Sequence, residues 1–127
     1  MLNGPTALAM TLAPLAEALR EYGVDFDVLA RQAGVDPGLL ARPNARYPSA
    51  RVHRLWRLAS VAASGDPLLG LHVGSRVRQG TFHALGLGIV SSTSLLAALK
   101  RIERYSNVIS TNGRFVLVEH DASTCLE

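Results

Sequence analysis

The sequence lacks several features on which cross-linked and membrane-bound proteins depend. Its single cysteine, Cys125, lies two residues from the end, which excludes a disulfide framework and a multi-cysteine metal site. No apolar run reaches the roughly 20 residues that a membrane-spanning helix needs. The apolar N-terminus lacks a basic segment and is interrupted by Pro5, so we expect no signal peptide. These absences predict a soluble, cytoplasmic protein.

Recognisable catalytic and metal-binding patterns are also missing. The histidines at positions 53, 72, 83 and 120 show no His-x-x-x-His spacing, and a zinc site needs three or four converging ligands. The serines lack a Gly-x-Ser-x-Gly elbow. Gly86-Leu87-Gly88 lacks the preceding strand and the third glycine of a dinucleotide-binding fingerprint. We therefore expect no enzyme activity, no cofactor and no metal.

The composition is that of one globular domain. The chain has 127 residues, of which 48% are hydrophobic and 18% charged, enough for a modest core and unlike a disordered segment. Its formal charge of +3 permits an anionic partner without requiring one, because the basic residues are scattered along the chain.

Apolar residues recur at helical spacing over most of the sequence. Ser49 is the expected cap of the third helix, and residues 42–48, with two prolines, read as a loop. The glycines at positions 86 and 88 weaken one helix but would let another element approach closely. The predicted helices cover about residues 12–22, 25–33, 49–65, a short piece after Asp66-Pro67, 81–91 and 94–109.

The longest helix is predicted to run from Ser94 to about Ile109, with Ser92, Thr93 or Ser94 as its cap, and a strand follows it. Its apolar stripe consists of Leu95, Leu99, Ile102 and either Tyr105 or Ser106. Residues 115–120 are rich in β-branched and aromatic side chains, but no partner strand is evident. We therefore expect a mainly α fold of the α+β type. It would be a bundle of short helices and one long helix, about 12–110, followed by the first strand of an incomplete sheet.

Residues 29–40 resemble a helix-turn-helix, since a helix, a glycine turn and a second capped helix succeed one another. The second helix is very short before Pro43, and it presents Leu39 and Leu40 where a DNA-reading helix needs polar side chains. A helical corner that packs Val28, Leu29, Val35 and Leu39 into the core is favoured. A small DNA-binding module remains the alternative interpretation.

Four residues are candidates for binding a ligand. Trp56 and Tyr105 lie on helical stripes, where aromatic side chains usually belong to the core and otherwise line a ligand site. His83, at the start of the glycine-bearing helix, could hydrogen-bond a ligand through a neutral imidazole. Arg104 flanks Tyr105 and could face a ligand carboxylate.

Taken together, four segments in this order resemble one family: LREYGVDFDVLARQAGVDPGLL, YPSARVHRLWRLASVAASGDPLLGLHVG, FHALGLGIVSSTSLLAALKRIERY and FVLVEH. The chain is similar to the N-terminal, arabinose-binding-like domain of AraC/XylS-type transcriptional regulators. The resemblance implies that residues 1–127 are a truncated regulatory domain that senses a small-molecule effector, forms a homodimer, or does both. Promoter DNA would be bound by a C-terminal domain with two helix-turn-helix units, which this sequence does not contain.

The resemblance does not identify the effector. No grouping of acidic and aromatic residues typical of a sugar site is visible in the sequence. A purely structural dimerisation domain, completed by pairing of the strand at 115–120 across two chains, is a further alternative.

Overall fold

A computed structural model describes residues 4–120 and, beyond them, the backbone of residues 123–126. Within this part of the chain lie six α-helices and two antiparallel strand pairs, which confirms the mainly α fold of the α+β type. The chain divides into two compact units, Met1–Val77 and Arg78–Glu127.

The first unit contains four helices and a small sheet. Strands β1 and β2 pair antiparallel, with Ala7 opposite Tyr47. The prediction of a loop through residues 42–48 is therefore wrong for its last three residues, because pairing with a distant segment decides their conformation. The elements are β1 (Thr6–Leu8), α1 (Ala13–Glu21), α2 (Phe26–Ala33), β2 (Arg46–Pro48), α3 (Ser49–Ala62) and α4 (Leu69–Gly74).

The ends of α2 follow the sequence closely. The Asp25 carboxylate accepts a hydrogen bond from the Asp27 backbone N–H at 2.9 Å, and Gly34, with φ +78°, ends the helix in the left-handed conformation. After it, residues Pro37–Leu39 form only a single 3-10 turn. Residues 29–40 therefore do not contain the second α-helix that a DNA-reading helix-turn-helix requires.

Ser49 differs from its expected role. Pro48 holds the N-cap position of α3, and Ser49 is the first helical residue. The Ser49 hydroxyl is buried, and among the described residues it has no hydrogen-bond partner. The prediction of a serine cap is wrong because the chain enters α3 directly from the paired strand β2.

The core of the first unit lies between α1, α2 and α3. Leu15, Leu19 and Leu55 are fully buried, and each such leucine stabilises the fold by about 1.5–3 kcal/mol relative to an exposed one. Leu29 and Val35 are buried as expected, and Leu39 is partly buried against them. Val28 is 47% exposed, against expectation, since the buried face of α2 passes through positions 26, 29, 30 and 33.

Two tyrosine hydroxyls join distant parts of this unit. The Tyr47 hydroxyl donates to the Asp36 carbonyl at 2.6 Å, and burial raises the pKa of Tyr47 to about 12. The Tyr22 hydroxyl donates to the Asp66 carboxylate at 2.6 Å, which raises the pKa of Tyr22 and lowers the pKa of Asp66. His72 Nδ1 lies 2.6 Å from the same hydroxyl. Because that hydroxyl has one proton, Nδ1 carries its own proton and donates to the oxygen.

The second unit consists of a 3-10 turn, two helices and a strand pair. They are the turn Gln79–Phe82, α5 (His83–Val90), α6 (Leu95–Ile109), β3 (Leu117–His120) and β4 (Ser123–Leu126). Of the three hydroxyl residues predicted as possible caps of α6, Ser94 holds the cap position, and its hydroxyl accepts from the Ala97 backbone N–H at 3.1 Å. The predicted strand is confirmed from Leu117 onward. The expectation that it has no partner is wrong, because β4 pairs with it antiparallel.

The buried face of α6 is rotated relative to the predicted stripe. Leu95 is 77% exposed and Tyr105 is 46% exposed, whereas Ala98 and Ser106 are buried. The alternative that placed Ser106 on the inner face is thus correct. Hydropathy alone assigns this position wrongly, because tyrosine is more apolar than serine.

Gly86 confirms that a helical glycine allows close approach here. A Cβ atom built at this position would overlap the backbone carbonyl of Gln79 in the preceding 3-10 turn. A Cβ atom at Gly88 would meet only the Arg101 side chain, at an ordinary 3.7 Å. Only the first glycine is therefore required by packing.

Three further findings concern the described residues alone. None of their helices is both long and apolar enough to cross a bilayer. They contain no group of three His, Cys, Asp or Glu side chains placed to hold a metal ion. The side chain of Cys125, for which the sequence excludes a disulfide framework, lies outside them.

Candidate functional site

A cavity of about 530 Å³ lies within the second unit, between α5, α6 and the segment that joins α6 to β3. Its volume falls within the range of about 300–1,000 Å³ that is usual for small-molecule sites. The lining residues are Phe82, Leu85, Ile89, Ile102, Ser106, Ile109, Ser110, Asn112, Gly113, Arg114 and Phe115.

Helical periodicity explains why the walls are apolar. Positions 82, 85 and 89 lie three and four residues apart, so that Phe82, Leu85 and Ile89 share one face of the turn and α5. Positions 102, 106 and 109 place two isoleucines and one serine on the facing side of α6. Phe115 contributes an aromatic ring from the segment before β3. The cavity is therefore a hydrophobic space with few polar groups.

Ser106 and Arg114 at this cavity have side-chain polar groups with no protein partner among the described residues. Ser106 is 7% exposed, and its hydroxyl makes no hydrogen bond there. Leaving a buried hydroxyl unsatisfied costs about 1–3 kcal/mol. Arg114 is exposed and forms no ion pair with any described carboxylate. One unsatisfied hydroxyl inside and one free cation at the rim are groups that a ligand can engage.

We expect Ser106→Ala to stabilise the ligand-free chain by about 1 kcal/mol, because it removes an unsatisfied buried polar atom with little change of volume. Ser49→Ala is the matched variant, since that hydroxyl is also buried without a partner among the described residues but lies in the first unit. Urea unfolding followed by far-ultraviolet circular dichroism measures both. A loss of stability on Ser106→Ala would show that the hydroxyl is satisfied in the native protein.

Side-chain hydrogen bonds hold the elements around the cavity together. The Arg101 guanidinium donates to the Gly88 carbonyl and to Ser92 Oγ, the latter at 2.8 Å, which joins α6 to the C-terminal end of α5. On the other side, the Glu103 carboxylate accepts from the Leu117 backbone N–H at 2.8 Å, which joins α6 to β3. The walls are thus positioned by charged groups that do not line the main cavity.

A smaller cleft of about 250 Å³ is also present in the second unit. It is lined by Ala84, Leu85, Gly88, Arg101, Tyr105 and Val108. Leu85 contributes to both spaces, so a single side chain forms part of both walls.

The four residues expected from the sequence lie in different places. Tyr105 lines the smaller cleft, and the Arg104 guanidinium lies over its ring, 5.4 Å from the centroid. Trp56 lies on α3 in the first unit, half-buried against that core. His83 lines neither space and adopts φ +54°, a left-handed conformation that is costly for a residue other than glycine. Their roles in effector binding stay predictions.

Sequence reasoning missed the residues that form the larger cavity. The sequence does contain a sign that points to Ser106, because a hydroxyl on an otherwise apolar helix face is unusual. No comparable sign marks Arg114 and Phe115. They line the cavity only because residues 110–116 pass beside α6, which the sequence does not show. Phe82 and Ile89 were visible only as members of an apolar helix.

The arrangement defines a class: a mainly helical domain with a small-molecule-sized cavity. The family described as the N-terminal arabinose-binding domain of AraC transcription regulators matches residues 23–127. The chain belongs to this family, which confirms the resemblance seen in the sequence.

One curated relative is similar over most of the chain. It is an ornithine utilization regulator from Pseudomonas aeruginosa, 32% identical over 117 residues, which are 92% of this chain. The same alignment covers 33% of the relative, so the chain spans about a third of that protein's length.

Proposed function

We propose that the chain is the effector-sensing part of an AraC-type transcription regulator and that the cavity in Arg78–Glu127 is its effector site. The observation that carries the proposal is the apolar cavity with the unsatisfied Ser106 hydroxyl on its wall. A buried polar group without a protein partner is tolerated where a ligand supplies the missing hydrogen bond. Membership of a regulator family supports a regulatory ligand rather than a substrate.

Binding would act through the positions of α5, α6 and the segment before β3. Because the cavity is lined by all three, an effector that fits one arrangement better than another shifts the population toward it. The free energy available for this shift is the difference between the effector's affinities for the two arrangements. DNA binding, in a cytoplasmic regulator, would be controlled through a domain outside this chain.

A homodimer is part of the same proposal. Leu87 and Val90 lie three residues apart on α5 and are both exposed, as is Leu95 at the start of α6. Exposed leucine and valine side chains on one helix face are typical of a surface that another protein covers. Analytical ultracentrifugation of the chain with and without bound effector measures this association.

The proposal is tested by locating where small molecules bind. We expect at least one member of a panel of small organic acids, alcohols, amines and sugars to shift backbone amide resonances of residues 82–89 and 102–115 in a saturable manner. The measurement is a two-dimensional nitrogen-proton correlation spectrum of the labelled chain. Binding that leaves these resonances unmoved, or a panel without any binder, would contradict an effector site here.

A further inference from the structure

We propose that the ligand of this cavity is an apolar monocarboxylic acid with one further hydrogen-bonding group on its apolar body. This inference rests on the proposed function and concerns the ligand's chemistry. The carboxylate would lie at the rim against Arg114, and the second polar group would meet the Ser106 hydroxyl inside.

The apolar body follows from the walls. Phe82, Leu85 and Ile89 on one side and Ile102 and Ile109 on the other offer no hydrogen-bonding side-chain atom. A polar group placed against them loses its water without compensation. Most of a ligand buried there must therefore be hydrocarbon, aliphatic or aromatic.

The negative charge follows from the charged groups at the site. Arg114 is the one charged side chain among the described lining residues of this cavity. The nearby carboxylate of Glu103 accepts from the Leu117 backbone N–H and does not line the space. An anionic ligand gains a charge-assisted hydrogen bond at Arg114, whereas a cationic one finds no counter-ion in the described lining.

The position of the second polar group follows from burial. Ser106 is 7% exposed while Arg114 is exposed, so one lies within the cavity and the other at its opening. A ligand with its carboxylate at Arg114 directs its apolar end inward. A hydroxyl on that end can pair with Ser106 Oγ, the unsatisfied atom of the wall.

Two other ligand chemistries fit this site poorly. A sugar such as arabinose has a hydroxyl on nearly every carbon, and the hydrogen-bonding side chains of the described lining are Ser106, Ser110, Asn112 and Arg114 alone. Ornithine, suggested by the name of the relative, has a carboxylate that can pair with Arg114, but its two ammonium groups find no counter-ion in the described lining. Both ligands would bring polar or charged groups against the apolar walls, where those groups lose water without gaining a partner.

The first experiment uses three probes with the same apolar body: 4-phenylbutyrate, 4-phenylbutanol and 4-phenylbutylamine. Calorimetric titration into the 127-residue chain should show the acid binding about tenfold more tightly than the alcohol, the ratio expected for an exposed charged hydrogen bond. The amine, L-arabinose and L-ornithine should bind more weakly than the alcohol. Arg114→Gln should abolish the preference for the acid, and Arg114→Lys should retain most of it.

The second experiment tests Ser106. Adding a ring hydroxyl, as in 4-(4-hydroxyphenyl)butyrate, should strengthen binding about fivefold, as one neutral hydrogen bond does. In Ser106→Ala this gain should disappear, while in Ser49→Ala it should persist, because Ser49 lies in the other unit.

The outcomes separate the ligand class from the site. If the alcohol binds as tightly as the acid, and Arg114→Gln changes neither affinity, the ligand does not need a carboxylate and that part of the proposal is wrong. Binding that perturbs residues 82–89 and 102–115 would still support an effector site. If arabinose or ornithine binds most tightly in this cavity, the apolar ligand class is wrong. If no probe and no panel member perturbs these residues, the proposed function fails as well.

Discussion

Gly86→Ala is expected to destabilise the second unit by about 3 kcal/mol, the upper part of the range for overpacked sites. The added Cβ atom overlaps the Gln79 carbonyl, which is backbone and cannot turn aside as a flexible side chain can. Relief requires the 3-10 turn Gln79–Phe82 to move away from α5. That movement also displaces Phe82 from the cavity wall, so ligand binding should weaken together with stability.

Gly88→Ala is the matched control on the same helix. Its Cβ atom meets only the Arg101 side chain at contact distance, so we expect a gain of up to about 1 kcal/mol from the helix propensity of alanine. Urea unfolding followed by circular dichroism measures both variants, and fluorescence of the single tryptophan, Trp56, reports the first unit separately. Equal stability of the two variants would mean that the turn does not pack on Gly86.

Ile102→Trp is expected to weaken binding of 4-phenylbutyrate at least about a hundredfold. Ile102 lies on the wall of a cavity of about 530 Å³, and an indole there takes up the space that the ligand needs. If most of the ligand's apolar surface is no longer buried, several kcal/mol of binding free energy are lost. A loss of about 2.7 kcal/mol already weakens the affinity a hundredfold. Calorimetric titration measures the loss.

Asn107→Trp provides the comparison, because it introduces the same indole on α6 at an exposed site that lines neither cavity and lies outside the surface proposed for the homodimer. It should leave the affinity within about twofold of the original, as expected for a surface substitution. Circular dichroism of both variants checks that α6 remains folded. Unchanged affinity in Ile102→Trp would place the ligand elsewhere.

Much of the fold can be predicted from local signals. The helices Phe26–Ala33 and Leu95–Ile109 agree with the predicted ranges 25–33 and 94–109 to within one residue, because a capping side chain or a left-handed glycine acts within a few residues. The two strand pairs could not be predicted. Residues 46–48 contain a proline and only three paired positions, and their conformation depends on Thr6–Leu8, some forty residues earlier.

The candidate site was less accessible to sequence reasoning. Aromatic and charged residues such as Trp56 and Arg104 attract attention, but a cavity is defined by which helix faces meet. The rotation of α6 that buries Ser106 and exposes Tyr105 depends on packing against α5. The sequence indicates that another element can approach the helix closely at Gly86, because glycine has no side chain. Only the structure shows that the approaching group is the Gln79 carbonyl.

Leu85 stands between the larger cavity and the smaller cleft beside Tyr105. A leucine side chain occupies one staggered rotamer at a time, so a rotation that enlarges one space takes volume from the other. A molecule seated against Phe82 and Ile102 fixes that rotamer. Occupancy of the larger cavity thus sets the shape of the surface around Tyr105, although no atom of the bound molecule touches it.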